Sequence, residues 1–409
     1  MQESISRNFH VSAAYIHIPF CLSKCHYCDF NSLGIGQVEP PEREYVAALI
    51  EEFGRWRRVL REEARSGFDS VFFGGGTPSL FRPETLAEIL LVLQELAPIL
   101  SGAEKTLELN PKTADLKKMQ GLVAAGFNRL SVGVQTLDET LLGALARAHG
   151  AEDALQALRW AFAAGFPQVN VDLMYGLPGQ ETGTLRSTCE RLSEFPLRHL
   201  SAYELIVEEG TPFFARQRRG ALALPQEDSV AAMKAEIEAF ATAQGMKNYE
   251  ISNYSAPRHE SRHNLHYWNY DSFIGFGAGA TSFLRKEELH EDFLRSVGLQ
   301  DKPDLYGLRL TNPAALREYQ DQSAGWKGVH VEPIFRNMAM GEFMMMGLRK
   351  RTGICFADFV ERFSEPFPQN YREVLRRAEA KGWAVVGAEA CRLTELGRTF
   401  SNSVLGEFL

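Results

Sequence analysis

The stretch Ala13-Ala-Tyr-Ile-His-Ile-Pro-Phe-Cys21-Leu-Ser-Lys-Cys25-His-Tyr-Cys28 turns from one kind of chain into another within sixteen residues. Its first six, Ala13 to Ile18, have the apolar and aromatic content of a strand. Three cysteines then fall on one loop, at positions 21, 25 and 28. Three thiolates so close in sequence can converge on a metal centre, whereas a disulfide would leave an odd thiol, and six cysteines in 409 residues are too few for a disulfide scaffold. A zinc ion completed by His17 or His26 is one solution, although structural zinc usually draws on two separated ligand pairs. A four-iron cluster is the other, because three cysteine ligands leave one iron open to an outside donor. Cys189, Cys355 and Cys391 stand alone and read as buried apolar residues.

Outward from this stretch, β-rich runs alternate with helix-length segments as far as residue 285. The candidate strands are Ala13 to Ile18, Ser70 to Phe73, Lys105 to Asn110, Arg129 to Gln135, Gln168 to Tyr175 and Leu200 to Leu205. Between them apolar residues recur at helical spacing, as in Leu86, Ile89, Leu90 and Leu93. Repeated βα units predict an α/β fold with a curved parallel sheet, an open barrel or a doubly wound sheet, and functional groups at the strand ends. The polar residues that strand propensity does not explain lie there: Gly74-Gly-Gly-Thr77, Glu108 with Asn110, Gln135 and Asp172. The division this predicts is an α/β unit over 1–285, a charged connection over 286–303, and a mainly helical unit with a short β wing over 304–409.

A formal net charge of −8 leaves no basic stripe for a nucleic acid. The basic run Arg55-Trp-Arg-Arg58 lies among Glu51, Glu52, Glu62 and Glu63 and reads as a solvated helix face. No apolar run approaches the roughly twenty residues of a membrane span, and the first dozen residues lack the apolar core of a secretion signal, so a cytoplasmic location is expected.

The spacing Cys-x3-Cys-x2-Cys after a first strand resembles the radical S-adenosylmethionine (SAM) superfamily. That resemblance implies a partial (β/α)6 barrel, a [4Fe-4S] cluster on Cys21, Cys25 and Cys28, and SAM chelated to the open iron. By the same resemblance Gly75, Gly76 and Thr77 would meet the methionyl amino group, and Glu108 and Asp172 would bind ribose or adenosine hydroxyls. Gln135 and Arg147 would hold the carboxylate and its surroundings, with Tyr15 and Tyr27 flanking the cluster.

Further motifs, Tyr15-Ile-His-Ile-Pro-Phe-Cys21, Gly74-Gly-Gly-Thr-Pro-Ser79, Val171-Asp-Leu-Met-Tyr-Gly-Leu-Pro178 and Tyr249-Glu-Ile-Ser-Asn253, look like the coproporphyrinogen-oxidase-like branch. Two activities compete within it: oxygen-independent coproporphyrinogen III dehydrogenation, and haem delivery by chaperones of the HemW type. Phe30 stands where the dehydrogenase carries a further cysteine, only twenty residues precede the cluster loop, and His263-Asn-Leu-His-Tyr-Trp268 matches the HNxxYW motif of HemW. These favour a haem chaperone, with His263 as an imidazole donor to iron and Tyr267 and Trp268 as flat apolar surface. His266, His259 and Arg262 are further candidates for iron or propionates. The family's Gly-Pro-Gly-Ala-His-Ser reads Gly277-Ala-Gly-Ala-Thr-Ser282 here, so one potential contact is lost. Met344-Met-Met346 reads as a core-facing helix turn. The partners implied are haem, an unidentified haem acceptor with membrane-associated ones among the candidates, an electron donor and a second copy of the chain.

Overall fold

A computed structural model describes residues 11–321 and 325–408. Its frame is six parallel strands: β1 (Ala13–Ile18), β2 (Phe68–Gly75), β3 (Ile99–Leu109), β4 (Arg129–Gln135), β5 (Gln168–Tyr175) and β6 (His199–Glu204). They are neighbours in that order, with Ala13 beside Ser70 at one side and Asn170 beside His199 at the other. Each crossover carries helix, as parallel pairing requires. The first, Glu42–Val59, buries Tyr45, Val46, Leu49, Phe53 and Trp56 along one stripe. A later one, Leu116–Ala124, starts where the Asp115 carboxylate accepts the Lys118 amide at 2.8 Å. All seven residues of β4 are buried.

The sheet does not close on itself. Beyond β1 it gains Phe273–Phe276 in parallel, then Thr281–Arg285, Leu305–Thr311 and His330–Phe335 antiparallel; beyond β6 it gains Asn253–Ser255 and Lys247–Asn248. Together these strands form one open sheet of twelve. A short helix, Arg262–Trp268, lies at the end of the barrel opposite the cysteines, with His263 against Ser70 near the start of β2.

The structure departs from the sequence pattern in three places. First, β3 begins at Ile99, because Ile99 pairs with Phe68 across a register shift that exposed Ser101 and Gly102 give no hint of. Second, residues 305–335 extend the barrel sheet: Thr281–Arg285 presents an unpaired edge, and Leu305–Thr311 completes it. The charged stretch 286–303 folds as a turn, Lys286–Glu288, and a helix, Glu291–Ser296, that bury Leu289, Phe293 and Leu294 in the main core. Third, Arg57 and Arg58 are exposed but Glu52 and Arg55 are buried. Glu52 is tolerated inside because it accepts hydrogen bonds from Trp56 Nε1, Gly277 N, Asn312 Nδ2 and Tyr319 OH.

A second core joins the helices Arg336–Gly347, Phe356–Phe363 and Gln369–Ala380 through Phe343, Met344, Phe359, Phe363, Tyr371 and Leu375. Met345 and Met346 pack against it. Beside it, Ile354–Cys355, Ala390–Leu393 and Ala384–Val386 form a small antiparallel sheet, so the expected wing has a third strand.

Candidate functional site

The chain leaves β1 at Pro19, and Phe20–Cys21 pairs in parallel with Leu33–Gly34, which pins the cysteine loop at both ends. Cys21, Cys25 and Cys28 face one cavity of about 450 Å³ at the C-terminal ends of the strands, where α/β barrels place their chemistry. Neither histidine considered for zinc lines that cavity. His17 shares its Nδ1 with Tyr15 OH at 3.1 Å and its Nε2 with the Asn31 carbonyl at 2.7 Å, and His26 Nδ1 meets the Ala144 carbonyl at 3.0 Å. Among the described residues no three His, Cys, Asp or Glu side chains close tightly enough for a single ion. Three thiols on one cavity suit a cluster, in which each thiolate holds its own iron.

Strand alternation lines the rest of the cavity. Thr106, Glu108 and Asn110 of β3 and its exit, Arg129, Ser131, Gly133 and Gln135 of β4, Asn170, Asp172 and Met174 of β5, and Ser201 and Tyr203 of β6 all face it. Each set advances by two residues, so a polar period of two was the signal for Ser131, Asn170 and Ser201, which the sequence did not single out. Gly75 has a φ of 109°, and any side chain there would run into the His17 ring. Its amide donates to Glu108 Oε2 at 3.1 Å. Gln135 adopts a φ of 64° at a register shift between β4 and β5, which re-aims its side chain into the cavity.

Two carboxyl groups face each other inside. Burial, and then the charge of Asp172, pushes Glu108 up to about 8. Burial raises Asp172 as well, against hydrogen bonds from Ser131 Oγ at 2.9 Å and Asn170 Nδ2 at 2.8 Å. Such a pair is ready for a ligand that brings hydroxyls and positive charge. Arg147 donates to Cys25 Sγ at 3.5 Å and to the Gly133 carbonyl at 2.8 Å, and Thr77 donates to Cys21 Sγ at 3.4 Å. Tyr27 lines the cavity, while Tyr15 lies deeper, its ring 6.1 Å from Phe72 and 6.4 Å from His263.

The residues read as haem contacts sit differently from that expectation. His263 is buried, with Nδ1 on Ser70 Oγ at 3.0 Å and Nε2 on Tyr267 OH at 2.9 Å. Burial lowers its pKa to about 3, so it is neutral, but neither nitrogen is open to iron in this conformation. Tyr267 stands edge-on to Phe273 at 4.6 Å, and Trp268 lies under the Arg349 guanidinium at 5.5 Å. His266 bridges Asp69 at 2.6 Å and Asp271 at 3.2 Å, and His259 Nε2 lies 3.3 Å from Arg198. Arg262 reaches the Gly102 carbonyl at 3.0 Å. Of the motif, only Asn264 borders the cavity, which makes this helix the barrel's floor.

An open α/β barrel whose first strand runs into three convergent thiols, above a rim of glycine, carboxylate and guanidinium groups, defines a radical SAM protein. Residues 15–192 match the model of the radical SAM superfamily, and residues 336–400 that of the HemN C-terminal domain, which coincides with the second core. The chain is 32% identical to the haem chaperone HemW of Bacillus subtilis over 98% of its own length and 99% of that protein's. It is 31% identical to the haem chaperone HemW of Escherichia coli over 97% of each. Among solved structures, coproporphyrinogen III oxidase (HemN) of Escherichia coli shares the fold, with a TM-score of 0.78 and 21% identity over 99% of this chain and 91% of that one. The chain belongs to the HemW family of radical SAM proteins. A [4Fe-4S] cluster and SAM are the cofactors of that superfamily. No helix among the described residues is long and apolar enough to cross a membrane.

Proposed function

We propose that the chain is a haem-binding chaperone that passes haem to an acceptor protein, carrying a [4Fe-4S] cluster on Cys21, Cys25 and Cys28 and SAM in the cavity above the floor helix. The observation that carries this is the match to haem chaperones along almost the whole chain, through the barrel, the floor helix and the C-terminal core. When bound, the cluster would supply one-electron chemistry. The protein's own groups orient the ligand. Gly75, Gly76 and Thr77 would meet its methionyl amino group, Glu108 and Asp172 would bind its ribose or adenosine hydroxyls, and Gln135 and Arg147 would hold its carboxylate and nearby polar groups, with Tyr27 beside the loop and Tyr15 deeper, by Phe72.

Haem contact through His263, Tyr267 and Trp268 belongs to the same proposal and has a stated requirement: His263 must give up Ser70 or Tyr267 before a nitrogen reaches iron. A haem titration of the cluster-loaded protein, repeated with His263→Ala, tests it. Near-stoichiometric binding with a haem spectrum altered in the variant is expected. No haem binding would end the chaperone reading, and binding with an identical spectrum in His263→Ala would remove this motif from it. A cytoplasmic location, an electron donor for the cluster and a second copy as partner complete the proposal.

One observation favours coproporphyrinogen dehydrogenation as a second reading, namely an acidic pair and three thiols lining one cavity. Against it, Phe30 replaces the further cysteine and projects from the cavity mouth 63% exposed. Strictly anaerobic incubation of the reduced protein with coproporphyrinogen III and SAM separates the two, since vinyl products are expected only from the dehydrogenase.

A further inference from the structure

Two of the three thiols receive hydrogen bonds from the barrel wall, and both bonds are organised by one side chain. Asn110 Nδ2 donates to Thr77 Oγ1 at 2.7 Å. With that oxygen accepting the amide's hydrogen bond, the hydroxyl's own hydrogen is directed toward Cys21 Sγ, 3.4 Å away. At the other end of the same amide, Asn110 Oδ1 accepts from Arg147 Nη2, which also reaches the Gly133 carbonyl at 2.8 Å. With Nη2 held by two acceptors, Nη1 faces Cys25 Sγ at 3.5 Å. The amide thus sits midway in a relay from Cys21 through Thr77 and Arg147 to Cys25.

The wall is shaped to admit this relay. Asn110 is fixed from behind, where its carbonyl accepts from Thr113 Oγ1 at 2.6 Å and Thr113 N at 3.2 Å. Gly133 leaves the room in front, since a Cβ there would lie 2.8 Å from Asn110 Oδ1 and 3.2 Å from Arg147 Nη2. Cys28 is not part of the relay; its neighbour is Ser32 Oγ of its own loop, at 4.0 Å.

Hydrogen bonds to cluster thiolates draw off negative charge and favour the reduced, more negative state, so outer groups set the potential as well as the geometry. We propose that Asn110 is a positioning residue that aims the Thr77 hydroxyl and the Arg147 guanidinium at the Cys21 and Cys25 thiolates and thereby sets the cluster's reduction potential. The inference rests on the cluster reading given under the proposed function.

The test is an EPR-monitored redox titration of the full-length, anaerobically reconstituted protein, with iron and sulfide measured on each sample. Asn110→Ala is expected to keep wild-type iron while its midpoint moves negative. A roughly tenfold fall in the ratio of reduced to oxidised cluster at a fixed potential is expected, equivalent to about 59 mV for a one-electron couple. Thr77→Val, which removes only the hydroxyl's donor, is expected to shift the same way, Thr77→Ser to restore the midpoint, and Asn110→Ala with Thr77→Val to shift less than the sum of the two. Should Asn110→Ala lose iron, the Thr77→Val and Thr77→Ser pair decides in its place. An unmoved or positive midpoint at full iron content, or no recovery in Thr77→Ser, overturns the inference while leaving the cluster reading intact. Wild-type protein that takes up no iron overturns the cluster reading itself, and this inference with it.

Discussion

His266 ties the floor helix to its surroundings and should make the barrel's stability depend on pH in one window. Burial alone would disfavour its charge, but hydrogen bonds to Asp271 and Asp69 overcome that and hold it at about 9, against an ordinary 6.5. At about 1.36 kcal/mol per pKa unit the full shift corresponds to roughly 3 kcal/mol. The His266 side chain is 12% exposed but Asp69 is 40% exposed, so solvent screening brings the expected contribution to about 2 kcal/mol. Because the folded-state value is raised, this stability is fully present below pH 6.5 and is lost as pH rises toward 9. The perturbation is His266→Gln, which keeps one hydrogen bond without the charge. Urea unfolding of the metal-free protein at pH 6 and pH 9.5, with hydrogen exchange over residues 262–271, measures it. The variant should be less stable by about 2 kcal/mol at the lower pH and within about 0.5 kcal/mol of wild type at the higher. An equal or larger deficit at pH 9.5 would refute the assignment of charge to His266.

Three further outcomes follow from the site and the second core. Glu108, raised to about 8, binds a proton in the folded state that the unfolded chain releases near pH 4.5. Wild-type stability should therefore fall between pH 4.5 and 8, by at most about 1.4 kcal/mol per pH unit, and Glu108→Gln should flatten that slope in a thermal-melt series. Gly75→Ala meets the His17 ring at a positive φ and loses the geometry of the amide bond to Glu108. A loss of at least about 2 kcal/mol is expected in the same melts, together with weaker SAM binding by calorimetry. Arg362 donates to the carbonyls of Tyr270 and Asn269 and to Asp271 at 2.7 to 3.1 Å. Arg362→Met should expose the turn after the floor helix to limited proteolysis while the iron content stays at about four per chain.

The sequence by itself determined the α/β frame and which polar residues stand at its strand ends. β4 and β5 run over the residues their composition indicates, because a strand covered by helices leaves little choice of residue, and the cysteine loop is legible because few chemistries need three thiols at that spacing. Tertiary structure decided whatever depends on an edge or on a partner distant in sequence. Leu305–Thr311 joins the sheet only because Thr281–Arg285 leaves an edge to fill, and Glu52 is buried only because Gly277, Asn312 and Tyr319 converge on it. The same holds at the site. His263 looks like a free imidazole in one dimension, and folding supplies Ser70 from 193 residues away to occupy it. Asn110 looks like a strand-end amide until Thr77 and Arg147 are brought to its two ends. Periodicity records which face a residue lies on, but a hydrogen bond needs both partners in place, and the chain positions the second one only when the sheet is assembled.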